Sequence, residues 1–130
     1  MPSIVRLDEG ARMSEAVIFN GMVFLAGQVA EDAGADIATQ TRQVLAAIDA
    51  LLARAGSSRR HLIAAQIFLV DMAEFSAMNA VWDEWIAEAG KPARATVQAS
   101  LARPGWKIEI VVSAALDAAV NDGSLNGGGN

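Results

Sequence analysis

Apolar residues along this chain follow two rhythms, one of three to four residues and one of two, and the changes between them predict its elements. Ile4 to Leu7 suits a short first strand. Ala16-Val17-Ile18-Phe19 and Met22-Val23-Phe24-Leu25-Ala26 are separated by Asn20-Gly21, the strongest short signal for a hairpin with a type I′ turn. Gly27-Gln28 follows at the strand end, and Glu31 to Ala35 reads as a loop. From Asp36 to Ala55 the period becomes helical. Ile37, Val44, Leu45, Ile48, Leu51 and Leu52 share one stripe, with Asp36 as N-cap and Gly56 just past the end. Leu62 to Val70 is apolar on both faces except at Gln66, as expected of a central strand covered on each side. Asp71, with Glu74 three residues on, predicts a capped second helix. Met72, Phe75, Met78, Val81, Trp82, Trp85 and Ile86 line its buried side, and Gly90 and Pro92 end it. Ala95 to Leu101 and Trp106 to Leu116 are the last strands, joined by a turn at Arg103-Pro104-Gly105.

The expected fold class is therefore α+β, in the order β-β-β-α-β-α-β-β. It is a single mixed sheet with two helices on one face. The last strand alternates Lys107, Glu109, Val111, Ser113 and Ala115 with Ile108, Ile110, Val112 and Ala114. Its second face is also largely apolar, and no helix remains to cover it. That face is expected to meet other copies of the chain. Residues 1–117 form one domain, and the glycine-rich stretch 118–130 reads as a flexible tail.

At 130 residues and 53% hydrophobic, the chain has more apolar content than a small monomer usually needs, which supports oligomer formation. Ten basic residues face 15 acidic ones, a net charge of −5, and aromatics make up only 5%. Neither a phosphate-neutralising stripe nor base-stacking platforms are present, so nucleic acid is not an expected partner. The absence of cysteine excludes disulfides, thiolate chemistry and zinc–thiolate sites. With one histidine, His61, in a polar turn and no suitably spaced acidic cluster, no metal and no cofactor is expected. His61 reads as a surface residue without a role. No apolar run reaches membrane-spanning length and the N-terminus lacks an apolar leader, so no membrane partner and a cytoplasmic location are expected.

Two charges interrupt otherwise apolar strands: Arg94 in Pro92-Ala93-Arg94-Ala95-Thr96-Val97, and Glu109 in Ile108-Glu109-Ile110. A charge leaving water needs an opposite charge or hydrogen bonds. One reading is a structural ion pair. The other is a clamp that holds a small anionic substrate beside a water molecule. Trp82 and Trp85, at helical spacing, read as core or interface anchors.

Four stretches occur in an order that resembles the RidA/YjgF family of reactive-intermediate deaminases. They are Ala26-Gly27-Gln28, Gln40 to Leu45, Asp71 to Phe75 running on to Asn79, and Pro92 to Val97 with Ile108-Glu109-Ile110. The resemblance implies a chorismate-mutase-like fold, a homotrimer with its sheets packed inside, and ligand clefts between subunits. It implies hydrolysis of enamines and imines such as 2-aminoacrylate to a 2-keto acid and ammonia, as in a 2-iminobutanoate/2-iminopropanoate deaminase, without a cofactor. Arg94 falls on the family's substrate arginine, whose planar fork matches a carboxylate. Glu109 falls on the carboxylate that orients or deprotonates the attacking water. Ala26, Gly27, Asn79, Thr96 and Met13 fall on the cleft. Many members have tyrosine where Met13 stands, serine or threonine where Ala26 stands, and a second glutamate where Val111 stands, so this pocket is expected to be less polar. The alternative is a non-catalytic trimer that binds small carboxylates in the same clefts.

Overall fold

Asp36 starts the longer helix as expected: its side chain accepts a hydrogen bond from the Thr39 backbone N–H at 2.8 Å. Gly56 ends the helix in the left-handed region, at φ 89°, where its N–H reaches the last carbonyls. These positions come from a computed structural model that describes residues 3–121. The tail expected from 118 onward therefore lies outside the described residues from 122. Its first residues lie in or just beyond a 3₁₀ turn, Asp117–Ala119.

The elements are β1 (Val5–Leu7), β2 (Ala16–Phe19), β3 (Met22–Leu25), β4 (Gln28–Val29), α1 (Ile37–Ala55), β5 (Leu62–Leu69), α2 (Phe75–Ile86), β6 (Ala93–Gln98) and β7 (Ile108–Ala115). They form the α+β arrangement expected, with two additions. The segment after Gly27 makes a two-residue strand, β4, against β7. Asp71 caps a 3₁₀ turn, Met72–Glu74, through the Ala73 N–H rather than capping α2 itself, which starts at Phe75 with no side-chain cap. The Asn20-Gly21 turn has φ of 54° and 81°, both in the left-handed region that a type I′ hairpin requires.

The sheet order is β1-β2-β3-β7-β5-β6, antiparallel except for the β5–β6 pair. That parallel pair is joined through α2, as a parallel connection demands. β6 begins at Ala93, directly after Pro92, two residues earlier than the periodicity suggests, and ends at Gln98. One face is dry. Ile108, Ile110, Val112 and Ala114 of β7 and Ala65, Ile67 and Leu69 of β5 are buried beneath the α1 stripe and beneath Met78, Val81, Trp82 and Ile86 of α2. The other face, with Phe24, Ala64, Gln66, Ala95, Val111 and Ser113, is uncovered in the single chain, and Phe24 is 49% exposed.

Candidate active site

The register across β6, β5 and β7 decides where the two strand charges point. Arg94 sits beside Ala65, which sits opposite Val112, so Arg94 lies on the helix-covered side. Glu109 sits opposite Phe68, on the uncovered side. Two strand spacings and three residues of rise place their Cα atoms roughly 14 Å apart, on opposite faces. The ion pair between them considered from the sequence is therefore not formed within one chain. The described ion pairs lie elsewhere: Arg54–Asp8, Arg59–Asp49 and His61–Asp117. His61 is thus a partly buried partner of Asp117, at 2.7 Å, rather than a simple surface residue.

The expected site residues form two separate groups. The first lies between α2 and β6. The Arg94 guanidinium lies over the Trp82 ring, 5.2 Å from its centroid, and is engaged by no hydrogen bond or ion pair among the described residues. Asn79 shares with it a concavity of about 310 Å³ that also involves Asp83, Lys91 and Pro92. Lys91 is occupied, its ammonium capping the carbonyls of Ile86, Ala87 and Ala89. Thr96 lies two residues along the same face of β6. Asn79 Oδ1 and Thr96 Oγ1 are buried and make no hydrogen bond, which is costly unless something else satisfies them.

The second group lies where β2, β4 and β7 converge. A Cβ on Gly27 would sit 2.8 Å from the Glu109 carboxyl carbon and closer still to one of its oxygens. The carboxylate occupies the space a side chain would take, so the glycine is required for close approach. Glu109 is partly buried, and its carboxylate has no hydrogen-bond or ion-pair partner among the described residues. Ala26 donates its N–H to the Glu15 carbonyl at 2.8 Å, extending the β2–β3 register toward Gly27. The same extension carries the segment preceding Glu15, with Met13 52% exposed, to this end of the sheet.

Gln40, in one of the stretches that carry the resemblance, has a structural role that the resemblance alone does not reveal. It is completely buried. Its amide nitrogen lies 2.9–3.2 Å from the carbonyls of Ala33, Ala35 and Gly105, and its oxygen accepts from the Lys107 N–H at 2.9 Å. It ties the loop before α1 to the turn that leads into β7 and Glu109. The signal for it was present: Gln40 and Thr41 are polar residues on the apolar stripe of α1.

A depression of about 520 Å³ on the uncovered face is lined by apolar and neutral residues apart from Arg94, which borders it from β6. Val111 lies in it, so this face carries no second carboxylate on β7. Among the described residues no group of three His, Cys, Asp or Glu side chains is arranged to hold a metal ion, and no helix is long and apolar enough to cross a membrane.

The class these features define is an α+β protein with one mixed sheet, two helices on one face and unpaired charges on each side. The profile of the Endoribonuclease L-PSP family matches residues 3–116. A RutC family protein from Haemophilus ducreyi is 43% identical over 114 residues, 88% of this chain and 97% of that protein. The RutC family protein YoaB from Escherichia coli is 44% identical over 114 residues, 88% and 99% of the two chains. A YjgF family structure from Neisseria meningitidis superposes with a TM-score of 0.84 at 46% identity, covering 88% of this chain and 95% of that one. A Rid family protein from Yersinia pestis superposes at 0.78 with 30% identity, covering 89% and 100%. The chain belongs to the L-PSP endoribonuclease family, the superfamily of the RutC, YjgF and Rid proteins.

Proposed function

We propose that this protein hydrolyses small 2-imino acids and their enamine tautomers to 2-keto acids and ammonia, in clefts where Arg94 of one copy meets Glu109 of another. The observation that carries this reading is the pair of unpaired, partly buried charges on opposite faces of one sheet. A charge partly withdrawn from water and left unpaired on an otherwise apolar strand is stabilised by a partner from outside the chain. Asn79 Oδ1 and Thr96 Oγ1, buried without partners on the Arg94 side, point the same way.

The chemistry follows from the side chains. The Arg94 fork takes the substrate carboxylate by two parallel hydrogen bonds and fixes the imine carbon. Glu109 accepts a proton from water as the water oxygen adds to that carbon. That proton passes to the nitrogen, giving a carbinolamine. The hydroxyl proton then follows it through Glu109 as the carbonyl forms, the carbon–nitrogen bond breaks and ammonia leaves a keto acid. Met13, Ala26 and Val111 give the pocket an apolar character and favour imino acids with hydrophobic side chains. The uncovered apolar sheet face supports a homotrimer with the sheets inside, as the family resemblance implies. The family's descriptive name points to RNA cleavage. A chain with 15 acidic and 10 basic residues has little with which to neutralise phosphates.

The test is a coupled assay in which an amino-acid oxidase generates imino acids of graded side-chain size. Accelerated ammonia release that is lost in a folded, oligomeric Arg94→Ala protein is the expected result. Full activity in that variant would remove Arg94 from the site. Absence of acceleration, combined with Arg94-dependent keto-acid binding, would favour the non-catalytic carboxylate-binding trimer, a reading favoured by the apolar Met13 and Ala26.

A further inference from the structure

A substrate-binding arginine must be held in place without using up the donors that bind substrate. The usual support, a neighbouring carboxylate, occupies two of the five N–H groups. Asp83 borders the same concavity but makes no ion pair or hydrogen bond with Arg94. The contact Arg94 does make is with a ring face, 5.2 Å from the Trp82 centroid, within the range of a cation–π interaction. That contact uses the charge of the guanidinium and leaves its N–H groups without a hydrogen-bond partner among the described residues.

The ring is itself anchored. Trp82 is 5% exposed. Trp85 packs on it at 5.3 Å between centroids, tilted by 51°. The Trp85 indole N–H donates to Asp49 Oδ2 at 3.0 Å, and its carbonyl accepts from Arg59 at 2.8 Å. Arg59 lies 4.9 Å over the Trp85 ring and also binds Asp49 through two nitrogens, at 3.1 and 2.6 Å. A ladder Asp49–Arg59–Trp85–Trp82–Arg94 thus runs from α1 across α2 to β6. Its far end is saturated with hydrogen bonds, whereas the guanidinium at its near end, Arg94, has none among the described residues.

We propose that Trp82 is the positioning residue for Arg94, an aromatic platform that orients the guanidinium while keeping its fork free for a substrate carboxylate. This rests on the imine-hydrolase reading above. Trp82 touches no reacting atom, so its removal should weaken carboxylate capture and spare the chemical step.

The experiment measures turnover of 2-iminobutanoate and binding of 2-oxobutanoate, with the methyl ester of the keto acid as neutral control. Trp82→Leu is expected to raise KM and Kd about tenfold with kcat nearly unchanged. Ester binding should stay constant, and Trp82→Phe should recover most of the loss. Site-specific fluorinated tryptophans at position 82 keep the shape and withdraw charge from the ring face, so they test the idea even if Trp82→Leu fails to fold. A stepwise rise in Kd with each added fluorine is expected. Unchanged Kd across that series, or equal losses for acid and ester, would overturn the platform. A wild-type protein that neither hydrolyses the imine nor binds the keto acid would instead overturn the functional reading beneath it.

Discussion

The Glu109 carboxylate fills the space that a side chain at Gly27 would occupy. The glycine is therefore part of how the carboxylate is aimed, although it has no functional group of its own. Gly27→Ala would force Glu109 to swing aside while leaving the paired strands on either side in place. The expected outcome is a fall of about 10²-fold in kcat, the scale of a lost general base, with little change in KM or in the circular dichroism spectrum. Wild-type kcat in Gly27→Ala would show that the observed carboxylate position is not the working one.

In the proposed mechanism Glu109→Gln leaves Arg94 to hold the carboxylate, so it should lower kcat far more than it raises KM. A second result follows from the placement of Arg94 and Glu109 on opposite faces. Inactive Arg94→Ala and Glu109→Gln chains, unfolded and refolded together, would form some clefts that take both wild-type residues from different copies. Random mixing in a trimer should restore roughly a quarter of wild-type activity. If the mixture stays as inactive as its parents, the site is not shared between subunits.

Gln40 is a completely buried polar side chain that bridges the loop before α1 and the turn that leads into β7. Gln40→Leu keeps the approximate volume but strips the Lys107 N–H and the carbonyls of Ala33, Ala35 and Gly105 of their partner. A loss of about 2–4 kcal/mol is expected, more than one ordinary hydrogen bond, because several buried groups are orphaned together. Urea titration should show a lower midpoint at unchanged slope. A shift within error would mean that water replaces the amide.

Two exposed aspartates set part of the acid limb of stability. The Thr39 backbone N–H holds the Asp36 carboxyl below its ordinary value, and the Arg54 guanidinium does the same for Asp8. Each binds its proton more weakly folded than unfolded. Their contribution is complete above about pH 4, the ordinary aspartate range, and is lost as pH falls through the lower folded values. Asp36→Asn and Asp8→Asn should therefore flatten the fall in Tm as pH drops below about 4. High salt should weaken only the exposed Asp8–Arg54 pair. An acid limb identical in the double variant would assign it to other carboxylates.

Much of the architecture follows from local patterns. The α1 stripe, its Asp36 cap and its Gly56 terminus, the Asn20-Gly21 hairpin and the alternating faces of β7 are all short-range signals, and the structure repeats them. The departures come from longer-range pairing. β4 is two residues long and exists because β7 offers it a ladder. Asp71 caps a 3₁₀ turn because the Met72 N–H is drawn to the Gln98 side chain, 26 residues away. The charges were visible as interruptions of apolar strands. Their separation was not, because parity within each strand says nothing about the register of β6 on β5 or of β5 on β7. Trp82 looked like a core residue and is one, but its second contact, with Arg94, depends on that same register.

β6 lies at the edge of the sheet, with a ladder on one side only. Arg94 therefore rides on an edge strand, while Glu109 belongs to β7, bonded on both sides. Backbone amides of β6 should exchange with solvent faster than those of β5 and β7. In the cleft we propose, the half assigned to substrate recognition would then adjust to molecules of different size, and the half assigned to the chemistry would keep its aim.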